Sequence, residues 1–110
     1  MNTILRTAEF DAWLRGLADA KGKAAVAARI VRGQAGNFGD VRPVGAGVSE
    51  LRVGVGPGYR VYFMRDGLAV YVLLAGGNKS TQAQDIKRAV ALANQLRGSK
   101  AAAKKPRDKK

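Results

Sequence analysis

Residues 50–63 read ELRVGVGPGYRVYF, two short runs of alternating residues around a glycine-rich turn. Leu51, Val53 and Val55 alternate with Glu50, Arg52 and Gly54, which predicts a strand with one apolar face. Beyond Gly56-Pro57-Gly58 the alternation resumes, with Val61 and Phe63 on one face and Arg60, Tyr62 and Met64 on the other. If the apolar faces join one core, Arg52, Arg60 and Tyr62 project together from the opposite face. Two guanidiniums beside a phenol suit a phosphodiester. The same pattern also describes the solvated side of an ordinary antiparallel sheet. On either reading Arg60 is an exposed strand-face arginine.

Working outward, the chain punctuates itself. Leu68 to Ala75 is apolar on both parities and follows the Asp66-Gly67 pair, which predicts a second hairpin leading into a central, two-sided strand. Val41 to Ala46 suits a short edge strand, because Pro43 would break a central ladder. Gly33 to Asp40 is a loop by composition, with Phe38 tucked beneath it. Upstream, Asn2 to Arg6 forms a first strand and Thr7 caps a helix whose Phe10, Trp13, Leu14 and Leu17 face inward. Gly22 breaks the pattern, and a second helix runs from Lys23 to about Arg32. Arg29 and Arg32 fall outside its apolar stripe and read as a solvated face. Downstream, Thr81 with Gln84 makes a capping-box pattern for a last helix carrying Ile86, Ala89, Val90, Ala93 and Leu96. The expected organisation is one α+β domain over residues 1–97, a strand and helix pair packed on an antiparallel sheet and followed by a C-terminal helix. A basic, disordered tail occupies 98–110.

Composition narrows the chemistry. The 110 residues contain no cysteine and no histidine, which excludes disulfides, zinc ribbons, histidine metal sites and histidine acid–base catalysis. No metal or other cofactor is expected. The longest apolar run is too short to span a bilayer and the N-terminus has no secretory pattern, so the expectation is a soluble, cytoplasmic protein without a membrane partner. The formal charge is +12. From Arg97 onward seven basic residues and one aspartate account for half of it, and the preceding 96 residues, with 13 basic and 7 acidic side chains, carry the rest. A basic folded body implies a polyanionic partner, most simply nucleic acid.

Two glycine motifs fail on inspection. GNKST lacks the spacing of a phosphate-binding P-loop, and Gly54, Gly56 and Gly58 precede a strand rather than a helix. Lys79 nevertheless lies just before a helix N-terminus, where free amides favour anions, and Gly76 and Gly77 would let a ligand approach the backbone. Lys79 can complete an anion site with Arg52 and Arg60, or belong to an ordinary helix start.

F-x-x-W-L-x-x-L from Phe10 to Leu17, GNFGD at 36–40, GVSELR at 47–52, GPGYRVYF at 56–63 and LLAGGNKSTQ-x-x-DI from Leu73 to Ile86 together resemble the RelE/ParE toxin superfamily. Within it they resemble the branch of addiction-module killer proteins, near the HigB-type toxins. The resemblance implies the RelE-like fold and a type II toxin–antitoxin module in a bacterium or phage-derived element. It also implies a helix-turn-helix antitoxin as partner and ribosome-dependent cleavage of mRNA. The alternative within the superfamily is a ParE-like, non-enzymatic inhibitor of DNA gyrase. Arg60 falls on the GYR arginine that RelE-type enzymes place at the scissile phosphate, Arg52 on the neighbouring basic position, and Lys79 where RelE has another functional arginine. RelE has lysines where this chain has Val48 and Glu50, and a tyrosine where it has Asp85. The histidines of HigB toxins are absent.

Phosphate stabilisation therefore transfers, while a general base and acid do not. Tyr62 can donate or relay a proton, stack a base, or be a half-exposed sheet tyrosine. Asp85 can act as a base or orient Arg60 or Lys79. Glu50, on the same strand face as Arg52, is the other carboxylate candidate, with an ion pair as its plain alternative. The candidate catalytic set is Arg60, Arg52, Lys79, Tyr62 and Asp85.

Overall fold

The computed structural model describes the backbone of residues 1–108 and the side chains of residues 1–98. The elements run β1 (Thr3–Arg6), α1 (Ala8–Arg15), α2 (Ala20–Gln34), β2 (Val41–Gly45), β3 (Val48–Val53), β4 (Tyr59–Arg65) and β5 (Val70–Asn78). A 3-10 turn (Lys79–Thr81) then leads into α3 (Gln82–Asp108). The strands form one sheet in the order β1-β5-β4-β3-β2. β1 runs parallel to β5 and every other pairing is antiparallel, so the sheet is mixed rather than purely antiparallel. The fold is α+β. The side chains of the expected basic tail lie outside the described residues, and no helix among the described residues is long and apolar enough to cross a membrane.

Local chemistry sets the helix starts. Thr7 caps α1 by accepting from the Phe10 amide (3.0 Å), and its hydroxyl donates to the Leu74 carbonyl (2.8 Å), pinning the helix to β5. Asp19 caps α2 by accepting from the Gly22 amide (3.1 Å) and also accepts from the Tyr59 hydroxyl (2.8 Å). The hydroxyl first, then the amide, holds the Asp19 carboxyl below its usual range. Gly22 therefore does not break the helix. It lies inside α2 because the Tyr59 ring occupies the space a Cβ would need. Likewise, the cap before α3 is Asn78 with Thr81, one 3-10 turn earlier than the expected Thr81–Gln84 pair.

The sheet is covered on both faces. α1 and α2 close one side over Phe10, Val26, Ile30, Leu51, Val61, Phe63 and Leu73. Phe38 tucks against Phe63 and Tyr71, with both ring centroids 4.9 Å away. α3 closes the other side over Val48, Tyr62, Met64, Leu74, Ala89 and Ala93. The small side chains of Ala89 and Ala93 bring that helix close, and the supposedly solvated face of the central hairpin is largely interior. Arg29 is also not a solvated residue. Its guanidinium donates to the Arg52 carbonyl (2.7 Å) and to the Phe38 carbonyl (2.7 Å), tying the 33–40 loop to β3.

Gly76 and Gly77 serve packing rather than ligand access. A Cβ on Gly76 would overlap the Trp13 ring on one face, and a Cβ on Gly77 would overlap the Asp85 carboxylate on the other. Gly76→Ala should therefore displace Trp13 and destabilise the fold by about 1–3 kcal/mol, as overpacking does. Chemical denaturation measures this, and an unchanged midpoint would refute the packing role.

Candidate functional site

The β-register lines up one row of residues across the sheet. Arg52 on β3 faces Arg60 on β4, and Arg60 faces Gly77 on β5. On the outer side the Arg52 amide donates to the Asp40 carbonyl (2.9 Å), so Asp40 extends the row just before β2. Past the end of β5, the Lys79 amide donates to the carbonyl of Gly58 (2.9 Å), in the turn between β3 and β4. These connections converge on an open cleft of about 370 Å³ whose lining includes Asp40, Arg52, Gly58, Tyr59, Arg60 and Lys79. A larger groove of about 740 Å³ lies between β1 and α3. Leu5, Met64, Val72, Leu92 and Leu96 make its walls largely apolar, and it contains none of the candidate site residues.

Each arginine of the cleft has one carboxylate. Arg52 Nη2 lies 3.1 Å from Asp40 Oδ1, in a pair open to solvent. Arg60 Nη1 lies 3.5 Å from Glu50 Oε1, and that pair is interior: the Arg60 side chain is 12% exposed and Glu50 fully buried. The Nε–H groups of both arginines are buried with no protein acceptor. Among the described residues no carboxylate lies within ion-pair distance of Lys79. The cleft thus presents three cations against one exposed carboxylate.

Behind Arg60, Glu50 is the hub of a buried network. Its Oε2 accepts from the Tyr62 hydroxyl (3.1 Å) and from Gln82 Nε2 (2.7 Å), while Arg42 Nε approaches Oε1 at 3.8 Å. Burial first, then the Glu50 charge, pushes the Tyr62 phenol well above the usual tyrosine range, so it stays a neutral donor. Asp85 faces Gly77 from the first turn of α3, accepts from the Thr81 hydroxyl, and pairs with Arg88 at 3.0 Å. Arg88 also pairs with Glu9 of α1.

Of the five candidate catalytic residues, the structure brings Arg52, Arg60 and Lys79 to one cleft. It places Tyr62 and Asp85 behind it, under the start of α3. Tyr62 has no exposed surface and cannot stack on a base. Among the described residues Asp85 contacts neither Arg60 nor Lys79 by hydrogen bond or ion pair; its partners are Thr81 and Arg88. Glu50 pairs with Arg60, across the hairpin, rather than with Arg52 on its own strand. The sequence pattern placed Asp40 at the end of a loop and gave no sign of Gln82 or Arg42 as site residues. The signal for Asp40 was a strand register: with β2 paired to β3, the residue before Val41 falls beside Arg52.

No protein-family model matches this chain, and no solved structure does. An uncharacterized protein of Haemophilus influenzae is 48% identical over 93 residues, which span 84% of this chain and 94% of that protein.

Proposed function

The chain belongs to the same family as the Haemophilus influenzae protein, and from that premise we propose that it is the toxin of a type II toxin–antitoxin module. In this reading it has the RelE-like fold and is a ribosome-dependent mRNA endonuclease that arrests translation. The observation that carries the reading is the convergence of Arg52, Arg60 and Lys79 on one open cleft of a strongly basic chain. In RNA cleavage of this type, the 2′-hydroxyl attacks the adjacent phosphorus and negative charge builds on the phosphate oxygens. Fixed cations aimed at that charge lower the barrier most where they need no reorganisation. Arg60, held from behind by Glu50, is such a cation. Arginine remains protonated and supplies donors, not proton transfer. The wider charge gives sequence-independent, salt-sensitive affinity for RNA and ribosome. A helix-turn-helix antitoxin is the partner this function implies.

A second reading, a ParE-like inhibitor that binds DNA gyrase without chemistry, is favoured by one observation. Tyr62 and Asp85, the expected proton-transfer groups, are buried between α3 and the sheet. Brief induction in cells, with protein synthesis, DNA synthesis and message integrity followed separately, decides between the two. The endonuclease produces immediate translation arrest with cut messages; replication arrest with intact messages would establish the gyrase inhibitor instead. With purified protein, translated mRNA should be cut well and naked RNA poorly, and equal rates on both would refute ribosome dependence.

A further inference from the structure

We infer that Asp40 is the general base of the basic cleft, accepting the proton of the attacking 2′-hydroxyl. This rests on the endonuclease reading and supplies the group that the covered residues cannot. Three carboxylates lie along or beside the arginine row, and exposure separates them. The Glu50 side chain is fully buried and that of Asp85 is 7% exposed, whereas that of Asp40 is 59% exposed. Only Asp40 lines the cleft. A base must come within hydrogen-bond reach of the proton it removes, and neither interior carboxylate can meet a polynucleotide without moving α3.

Asp40 is also held in place. Its carbonyl accepts from the Arg52 amide and its Oδ1 accepts from Arg52 Nη2. One turn of the loop back, Arg29 fixes the Phe38 carbonyl and so fastens the segment to β3. Gly39 between them has φ +83°, and the Arg29 guanidinium fills the space its side chain would take. A loop carboxylate clamped this way has the fixed geometry that catalysis requires. With the scissile phosphate on the Arg52 and Arg60 guanidiniums, Asp40 stands on the outer flank and Lys79 at the opposite end of the cleft. The 2′-oxygen passes its proton to the Asp40 carboxylate as it bonds to phosphorus. The phosphorus–O5′ bond breaks, and the 5′-oxygen takes a proton from the Lys79 ammonium. The products are a 2′,3′-cyclic phosphate and a 5′-hydroxyl, with atoms and charge balanced and no co-reactant.

The bland role for Asp40 is as a counter-ion that orients Arg52, and Asp40→Asn separates the two. The amide oxygen still accepts from Arg52 but cannot take a proton. Single-turnover cleavage of mRNA on programmed ribosomes should fall by roughly 10²–10⁴. Ribosome binding, read by co-sedimentation, should hold or tighten because one negative charge is lost. Thermal unfolding should not change, since the replaced side chain is exposed. If wild type cuts and Asp40→Asn cuts at a similar or higher rate, Asp40 is a counter-ion or a brake, and the inference fails alone. If wild type leaves the message intact on ribosomes it binds, the endonuclease reading fails and the general base with it.

Discussion

Arg60→Ala should lower the cleavage rate of translated mRNA by roughly 10²–10³, the scale of losing one fixed donor to a transition-state oxyanion. Ribosome affinity should fall far less, because the long-range attraction is shared among the many other basic residues of the chain. The structure adds a cost that the sequence pattern did not foresee. As an exposed strand-face arginine, Arg60 would be nearly neutral for stability. Here it neutralises a fully buried Glu50 at 3.5 Å, with Arg42 a more distant second partner. Removing one member of an interior pair strands the other, and about 3 kcal/mol of stability should go with it. Two further variants separate chemistry from folding. Arg60→Lys keeps a charge toward Glu50 and should recover most of the stability but only part of the rate, since the planar fork is lost. The double variant Arg60→Ala with Glu50→Gln removes the stranded charge, so it should regain stability and no activity. A folded Arg60→Ala protein with undiminished toxicity would remove Arg60 from the site and favour the gyrase reading.

Glu50→Ala should have the largest effect on stability. One carboxylate holds the Tyr62 hydroxyl, the Gln82 amide and the Arg60 guanidinium, and it joins β3, β4 and the first turn of α3. Its truncation leaves one buried donor, one half-buried donor and a nearly buried cation without their acceptor, at a cost of about 3–5 kcal/mol. Against the roughly 5–15 kcal/mol that holds a domain together, the thermal midpoint should drop by more than about 10 °C. Glu50→Gln keeps an acceptor for Tyr62 and Gln82 and should lose less than half as much. Equal midpoints for Glu50→Ala and wild type would mean that the network is incidental to the fold.

What the sequence made legible follows its apolar pattern. The alternation in 50–63 identified the hairpin, and the unbroken run in 68–75 identified a strand buried on both sides. It did not reveal what covers the second face. Glu50, Arg60 and Tyr62 look solvated because each is polar, yet the Glu50 carboxylate accepts from Tyr62 and pairs with Arg60 inside the protein. A polar residue type says nothing about whether its partner is water or another side chain. The glycines misled for a related reason. Gly22, Gly76 and Gly77 read as breaks or ligand approaches, but each makes room for a side chain from elsewhere, Tyr59, Trp13 and Asp85 respectively. Close approaches between distant segments have no local signature. Arg52, Arg60 and Lys79 were legible as a set because hairpin register and the end of β5 are local geometry. Asp40 was not, because its place depends on the pairing of β2.

The parallel pairing of β1 with β5 bears on when a newly made chain can become active. The Thr7 hydroxyl that starts α1 binds the Leu74 carbonyl, a partner 67 positions later, and Thr3 pairs with Val70. The β3–β4 hairpin bearing both arginines is a local structure that can form early, whereas contacts of such long separation form late. During synthesis the N-terminal strand and helix pair must wait for β5 to clear the ribosomal exit tunnel, several seconds behind at about 5–20 residues per second. Lys79 and the α3 turn that backs Arg60 emerge later still. On the endonuclease reading, the cleft that would act on ribosomes is thus among the last parts of the fold to form, after the hairpin that carries its two arginines.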